Sequence, residues 1–466
     1  HYIKPETLLD DEAKARATSV YLPHAVLPML PSRLSDNLCS LRAKVPRLAM
    51  TVSMEIENDC TIGKVAAFES IIEVQENLSY EDALDNPKFQ NMMDLAEELR
   101  RNEIRLNLNS AELRPRVHED EITVNVKWPN KATEMIETFM VATNNSIGIL
   151  LGEKNAPLPW RCHAPPDAPE VEELNAKFKN MGINIELPMP SVKKFGQSEE
   201  AELASMLGDW ANSGNIEISG LENSNDQDDV AQYLKNVLDP NARKDILISL
   251  KEAQQKANDL KSATRRVVDH GLFYLLQRAI YSPENLGHFG LNLNAYVHFT
   301  SPIRRYADLV VHRQLKSFLN EEDWVHSEEE MTEISEQCTA NSQEAKSIEW
   351  ELVANAFHLH LLRGGTIESV ENSQEKLELK QWPARVVGLR NPWIFLDLLD
   401  DGAIRGKLHV SQLGDGRQLS TDEFGLHLIN ENSKESDDII LSLGQKFPCR
   451  LRGLDLWSGE LDLAPI

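Results

Sequence analysis

The chain of 466 residues carries 48 Lys and Arg against 74 Asp and Glu, a formal net charge of -26. That balance excludes a protein that coats nucleic acid with its whole surface, because phosphate binding is driven by Lys and Arg displacing counterions; any RNA or DNA site must be local. A mean hydropathy of -0.39 accompanies the absence of any run of about 20 apolar residues that could cross a membrane. Since single cores stop growing near roughly 250 residues, two or three domains are expected.

The five cysteines, Cys39, Cys60, Cys162, Cys338 and Cys449, are far apart, odd in number and free of C-x-x-C spacing. They suggest neither a disulfide framework nor a zinc site and fit a reducing cytosol. The sequence opens on His1 rather than methionine and reads as a fragment, with no charged-then-apolar signal segment at its visible start.

From His1 to about Leu48, prolines and turn residues ("YLPHAVLPMLPSRLSDNLCSL") predict loop and short extended pieces. "LAMTVSMEIEND" alternates apolar and polar residues as a half-buried strand does. "YEDALDNPKFQNMMDLAEELRRNEI" has helical spacing, and "EITVNVKWPNKATEMIETFMVATNNSIGILL" reads as a strand, a turn and a buried helix. Val192 to Asn225 is a polar excursion, Asp229 to Ser282 returns to long helices, and Glu328 to Leu362 is one long helix with a solvated face. "RGGTIESVENSQEKLELKQ" breaks that helix. Beyond Gly364, short apolar strands such as "ARVVGL", "WIFLDLL", "GKLHVSQL" and "FPCRLRGLDL" predict an all-β module with its boundary near Gly365. The fold class is α+β: a mixed helix-and-strand domain over residues 1–364, then a small barrel over residues 365–466. No repeat with a period of about 20 to 50 residues is present.

The stretch "HFTSPIRRYADLVVHRQL" raises a chemical question. Ser301 followed by Pro302 reads as a helix start, with serine as cap and proline at the first helical position. Arg304 and Arg305 then fall in the opening turn, where partial positive charge on free N–H groups disfavours a cation by roughly 0.3 to 1 kcal/mol. A phosphate would satisfy both the free N–H groups and the guanidinium fork. The competing reading pairs Arg304 with Asp308 one turn on and leaves Arg305 to solvent.

The longer run "AIYSPENLGHFGLNLNAYVHFTSPIRRYADLVVHRQL" resembles the signature of the RNase II and RNase R superfamily, hydrolytic exoribonucleases that degrade RNA from its 3′ end. "HYIKPETLLDDEAKARATSVYLPHAVLPMLPSRLSDNLCSL" is similar to the family segment just after its aspartate-rich strand, and "MIETFMVATN" to its central helix. The tail from Trp382 to Pro465 is similar to the OB-fold RNA-binding domain that ends these enzymes. The resemblance implies an RNB-type catalytic domain and a processive 3′-to-5′ exoribonuclease acting on single-stranded RNA and releasing nucleoside 5′-monophosphates. Residue by residue, it assigns Arg304 to the grip on the scissile end, with Arg305 and Ser301 in the same RNA-binding motif. The resemblance also implies that Tyr21 is the family tyrosine that stacks on a base near the 3′ end, and that Glu349, the second catalytic-site residue, stands where the family has a glutamate that helps position the RNA terminus. Trp350 departs from the family, where a charged residue is common at that place. His298, Asp308 and His312 read as stiffening the motif. In the tail, Trp393, Phe395, Arg405 and His409 are candidates for the ligand face, although Trp393 and Phe395 also fit a barrel core.

The family cleaves with magnesium held by aspartates spaced D-x5-D-x-D-D, a cluster that lies shortly before the position of His1 and is not in this chain. Asp226, Asp228 and Asp229 spell D-x-D-D, but Gly220 stands where the first aspartate belongs, and "LLDDEA" and "DLLDDGA" read as turns or caps. No metal ligands are therefore assigned; magnesium is expected from the family, with its ligands upstream of His1. The strand "SAELRPRVHED" lacks, over Leu113 to Val117, the aromatic residue that the family often has there. The family's N-terminal cold-shock-type domains are absent too. Three functions follow: an exoribonuclease whose metal ligands are carried elsewhere, a catalytically inactive RNA-binding pseudoenzyme, or a fragment that neither binds nor cuts. Single-stranded RNA is the implied partner, with no membrane, a monomeric chain, a cytoplasmic location, and Lys and Arg concentrated in a channel leading to Arg304.

Overall fold

The computed structural model describes residues 2–104, 112–119, 121–166, 168–180, 182–187, 240–258, 278–362, 382–398, 405–413, 418–422, 425–431, 439–455 and 460–466, with six single positions between 265 and 276. A helix, α1 (Leu8–Arg16), occupies part of the segment expected to be loop. Its start is closed from both sides: the Thr7 side chain accepts from the Asp10 N–H, and the Asp10 carboxylate accepts from the Glu6 N–H at 3.2 Å. A short hairpin follows, β1 (Val20–Tyr21) with β2 (Val26–Leu27), then a π-helical turn over Arg33–Leu38.

The expected strand is half of a long hairpin, β3 (Pro46–Ile56) with β4 (Ile62–Glu73). The helical stretch after it is broken, as α2 (Tyr80–Leu84), a 3-10 turn over Pro87–Phe89, and α3 (Gln90–Asn102). Pro87 lacks the N–H that would carry one helix through. The hairpin of β5 (Glu112–His118) and β6 (Glu121–Lys127) leads to α4 (Lys131–Gly152), which starts on a reciprocal Asn130–Thr133 cap and buries Ile147 and Leu151. Next come β7 (Trp160–Cys162), α5 (Ala168–Asn180) and α6 (Pro240–Asn258), the two helices sharing a core around Phe178, Leu247 and Leu250. The polar excursion of residues 192–225 lies outside the described residues, as does much of the helical stretch ending at Ser282.

Strand β8 (Ile280–Ser282) pairs with β7, and α7 (Tyr306–Asn320) and α8 (Glu328–Leu362) follow. The β-rich tail holds β9 (Trp382–Arg390), β10 (Trp393–Asp397), β11 (Arg405–His409), a three-stranded sheet of β12 (Leu419–Thr421), β13 (His427–Asn430) and β14 (Ile439–Ser442), then β15 (Lys446–Asp455) and β16 (Glu460–Pro465). Strands β9, β10, β11, β16 and β15 close a five-stranded barrel, antiparallel except for the β11–β16 pair. The α+β architecture is thus as expected. Gly365 and the segment "RGGTIESVENSQEKLELKQ" lie outside the described residues. The barrel core of Ile394, Leu396, Leu408 and Leu463 takes in Val124 of β6 and Phe357 of α8, so the tail is seated on the rest of the chain. No helix among the described residues is long and apolar enough to cross a membrane.

Candidate nucleic-acid interface

Helix α7 begins at Tyr306, four residues later than the Ser301–Pro302 pattern predicts. Ser301 caps nothing. Its N–H donates to Asp308 Oδ1 at 2.7 Å, and its carbonyl accepts the N–H groups of Arg304 and Arg305 at 3.2 and 3.1 Å, closing a turn ahead of the helix. Arg305 is extended (φ -136, ψ 127) immediately before the first helical residue. The reason lies in Asp308, whose side chain is fully buried and must be matched by donors. Arg305 supplies two, from Nε to Oδ2 at 2.7 Å and from Nη2 to Oδ1 at 2.8 Å. Two of the Arg305 donors are therefore engaged by Asp308 as a planar two-point pair, and its expected support in gripping RNA remains a proposal for its other donors. The competing pairing of Arg304 with Asp308 is overturned by the same contact.

Arg304, by contrast, is exposed, and no acidic side chain pairs with it among the described residues. Its backbone is fixed even so. The Arg304 carbonyl accepts the Ser19 N–H at 3.0 Å and the Thr18 hydroxyl at 3.2 Å, while the Tyr306 N–H donates to the Ala17 carbonyl at 2.8 Å. The segment stitched to the arginine turn continues into β1, where the Tyr21 N–H donates to Glu349 Oε1 of α8 at 2.6 Å. The Tyr21 side chain is 46% exposed. Three residues singled out from distant parts of the sequence, Tyr21, Arg304 and Glu349, are thus brought together by one short run of backbone.

A polar layer lies behind this surface. The Arg161 guanidinium sits 4.7 Å from the Tyr281 ring centre, and the Tyr281 hydroxyl meets His298 Nδ1 at 2.7 Å. Asn144 Oδ1 accepts the N–H groups of Phe299 and Thr300 at 3.0 and 3.2 Å, and its amide donates to the Tyr296 hydroxyl at 3.1 Å. Burial, then the charges of Arg305, Arg161, His288 and Arg304, push the His298 pKa well below its usual value, so this imidazole is neutral near pH 7. His312 donates from Nε2 to the Phe299 carbonyl at 2.8 Å, since a carbonyl can only accept, and burial lowers its pKa to about 4. Positive charge here accordingly comes from arginine. Sequence reasoning missed Arg161; its available signal was a lone basic residue in the apolar run "PLPWRCHAP".

A family model for the RNB domain matches residues 1–321. The chain belongs to the RNB-domain family. Ribonuclease R of Thermotoga maritima is 30% identical over 76% of this chain and 46% of its own length, and ribonuclease R of Mycoplasmopsis pulmonis 27% identical over 99% of this chain and 56% of its own. The chain thus spans about half the length of the curated relatives it matches. Among solved structures, Mycoplasma genitalium RNase R in complex with ribose methylated single-stranded RNA superposes with a TM-score of 0.74 at 20% identity, over the whole of this chain and 65% of that one. Yeast Ssd1, a pseudonuclease, gives 0.57 at 20% identity over 92% of this chain and 46% of its own.

Within the RNB domain, no three His, Cys, Asp or Glu residues are gathered to hold a metal ion among the described residues. Asp308 is saturated by Arg305 and the Ser301 N–H, and Asp10 of "LLDDEA" is buried against Arg313 at 2.6 Å. These carboxylates do not fit a magnesium centre. Asp226, Asp228 and Asp229 lie outside the described residues. On the barrel after the RNB domain, Ile394 and Leu396 point inward and are fully buried, whereas Trp393 and Phe395 lie on the other face and are half-buried. Neither is barrel core. Opposite them stand His409 and Lys407; the Lys407 ammonium is 4.5 Å from the Trp393 ring centre and the His409 ring meets it edge-on at 4.9 Å. The Arg405 side chain is outside the described residues.

Proposed function

We propose that this chain is the larger part of an RNase R-like exoribonuclease that holds the 3′ end of single-stranded RNA and hydrolyses it processively, releasing nucleoside 5′-monophosphates. The observation that carries the reading is the exposed Arg304 side chain on a turn whose backbone is bonded to the segment leading into the Tyr21–Glu349 contact. Arg304 offers paired donors to a backbone phosphate. Tyr21 offers a ring on which a base stacks, an interaction worth about 1 to 3 kcal/mol. Glu349 holds the Tyr21 backbone in place, and the Ser301 hydroxyl remains available because only its backbone is engaged by Asp308 and the turn. The barrel is read as an OB-fold whose Trp393, Phe395, Lys407 and His409 face binds RNA upstream. Magnesium stays part of the proposal, with carboxylates supplied from outside the described residues. The five free cysteines support a reducing, cytoplasmic setting, and the chain is read as a monomer.

A second reading, an RNA-binding protein that does not cut, is favoured by Asp308 and Glu349 both being occupied by protein donors. One experiment separates the two. The parent protein is mixed with magnesium and a 5′-labelled single strand; stepwise loss of mononucleotides from the 3′ end is expected. Arg304→Ala should weaken binding more than tenfold at fixed salt, about 1.4 kcal/mol. Absence of release with Arg304-dependent binding retained establishes the second reading, and binding indifferent to Arg304 removes that residue from the site.

A further inference from the structure

Trp350 is 73% exposed, the highest exposure of any described aromatic side chain. It follows Glu349 directly on α8, the helix whose carboxylate anchors Tyr21. A helix turns about 100° per residue, so Glu349 and Glu351 point away from Trp350 on either side. Within about 60° of it around the helix lie Gln343, Lys346, Ser347, Val353, Ala354 and Phe357. Between Gln343 and Phe357 this acidic helix therefore presents a lane with a single charge, that of Lys346; Glu336 re-enters the lane two turns before Gln343. Exposure falls along the lane: Lys346 and Trp350 are exposed, Val353 and Ala354 half-buried, and Phe357 is 1% exposed inside the barrel cluster. At a rise of 1.5 Å per residue, Trp350 stands about 10 Å along the axis from the residue that seats the barrel. The lane thus runs from Trp350, next in sequence to the glutamate that holds Tyr21, to the helix residue that packs into the barrel core.

We propose that Trp350 is a stacking platform for one base of a single-stranded RNA running between the barrel and the Arg304 turn, with Lys346 one turn earlier contacting the adjacent phosphate. The proposal rests on the reading of the chain as an RNA-binding one. An indole exposes a flat apolar face that any base can cover, and such stacking is tolerant of sequence. A lysine beside it contributes a point charge that needs no fixed geometry.

The test uses the full chain and short single-stranded RNAs in which one nucleoside at a time is replaced by an abasic one, with dissociation constants measured at fixed salt. The wild-type protein should lose about tenfold at one position upstream of the 3′ end. Trp350→Ala should lose about tenfold on the unmodified strand, about 1.4 kcal/mol, and nothing further on the strand abasic at that position. Trp350→Phe should retain most of the affinity, and the effect of Arg304→Ala should be undiminished in either background. An abasic profile identical in wild type and Trp350→Ala overturns the inference while leaving the RNA-binding reading intact. Wild-type protein that binds none of these strands overturns both. Unchanged RNA affinity together with an altered sedimentation coefficient for Trp350→Ala assigns the lane to a protein contact and discards base stacking.

Discussion

Arg304 and Arg305 are chemically identical neighbours with opposite assignments, and the difference is set by one buried carboxylate. Removing Arg305 leaves Asp308, fully buried, with only the Ser301 N–H. Breaking a buried pair from one side costs about 3 to 5 kcal/mol, so Arg305→Ala should unfold at markedly lower urea concentration, and Arg305→Lys should recover only part because it cannot donate from two fixed nitrogens. Arg304→Ala, at an exposed position, should stay within about 0.5 kcal/mol of wild type in the same titration. A destabilised Arg304→Ala and a stable Arg305→Ala would reverse the assignment. His312 adds a pH dependence with a defined sign. Its pKa is about 4 folded, against an ordinary value of 6.5. The folded state therefore binds fewer protons, and the stability it contributes is complete above pH 6.5 and is lost as pH falls toward 4. His312→Gln should flatten the decline in melting temperature across that window. An unaltered slope would mean that other buried histidines, such as His358, whose pKa burial also lowers to about 4, account for it.

At the level of elements, α1 does the positioning. Its Asp10 meets Arg313 of α7 through Nη2–Oδ1 at 2.6 Å and Nη1–Oδ2 at 3.2 Å, and Arg313 also donates to the Tyr306 hydroxyl and the Ile3 carbonyl. Because Ala17 to Tyr21 follow α1 without a break, this pair holds the Tyr21 strand against the arginine turn. Asp10→Ala should cost about 3 kcal/mol or more. It should also speed hydrogen exchange at the Ser19 and Tyr21 amides more than at the α4 amides; uniform acceleration would reduce the pair to general stability. How far such elements could be read in advance varies with the kind of signal. The long charged periodicity of Glu328–Leu362 was legible end to end, as was the strand-turn-helix of β6 and α4, because pattern and burial agree there. Helix α1 was obscured by the prolines that follow it, although Thr7-x-x-Asp10 spells its cap. The start of α7 was misplaced because Ser–Pro describes a cap equally well as a turn, and only the burial of Asp308 decides between them. Tyr21, Arg304 and Glu349 came from a family resemblance; their meeting depends on backbone bonds that no spacing encodes.

At the scale of the whole molecule, the net charge of -26 has to coexist with the polyanionic substrate proposed for it. Lys14, Arg16, Lys127, Lys177 and Arg452 each pair with acids on separate elements, so their charge is offset locally. Arg161, Arg304 and Arg305 all act on His298 and so lie near it. Each phosphate contact on single strands contributes about 0.7 to the slope of log K against log salt. The barrel's share can be isolated on that basis, but not by truncation. Deleting residues beyond 364 would strip the cover from Phe357 and Val124, now 1% and 7% exposed, and a loss of RNA binding would then report a damaged core. Lys407→Ala avoids this, since the side chain lies on the outer face of β11 over Trp393. It should lower affinity, reduce the salt slope by about 0.7, and leave the position of the held 3′ end, read by the abasic profile, where it was. A shifted profile would place Lys407 in the grip on the terminus; an unchanged slope would take the barrel face out of contact with the backbone.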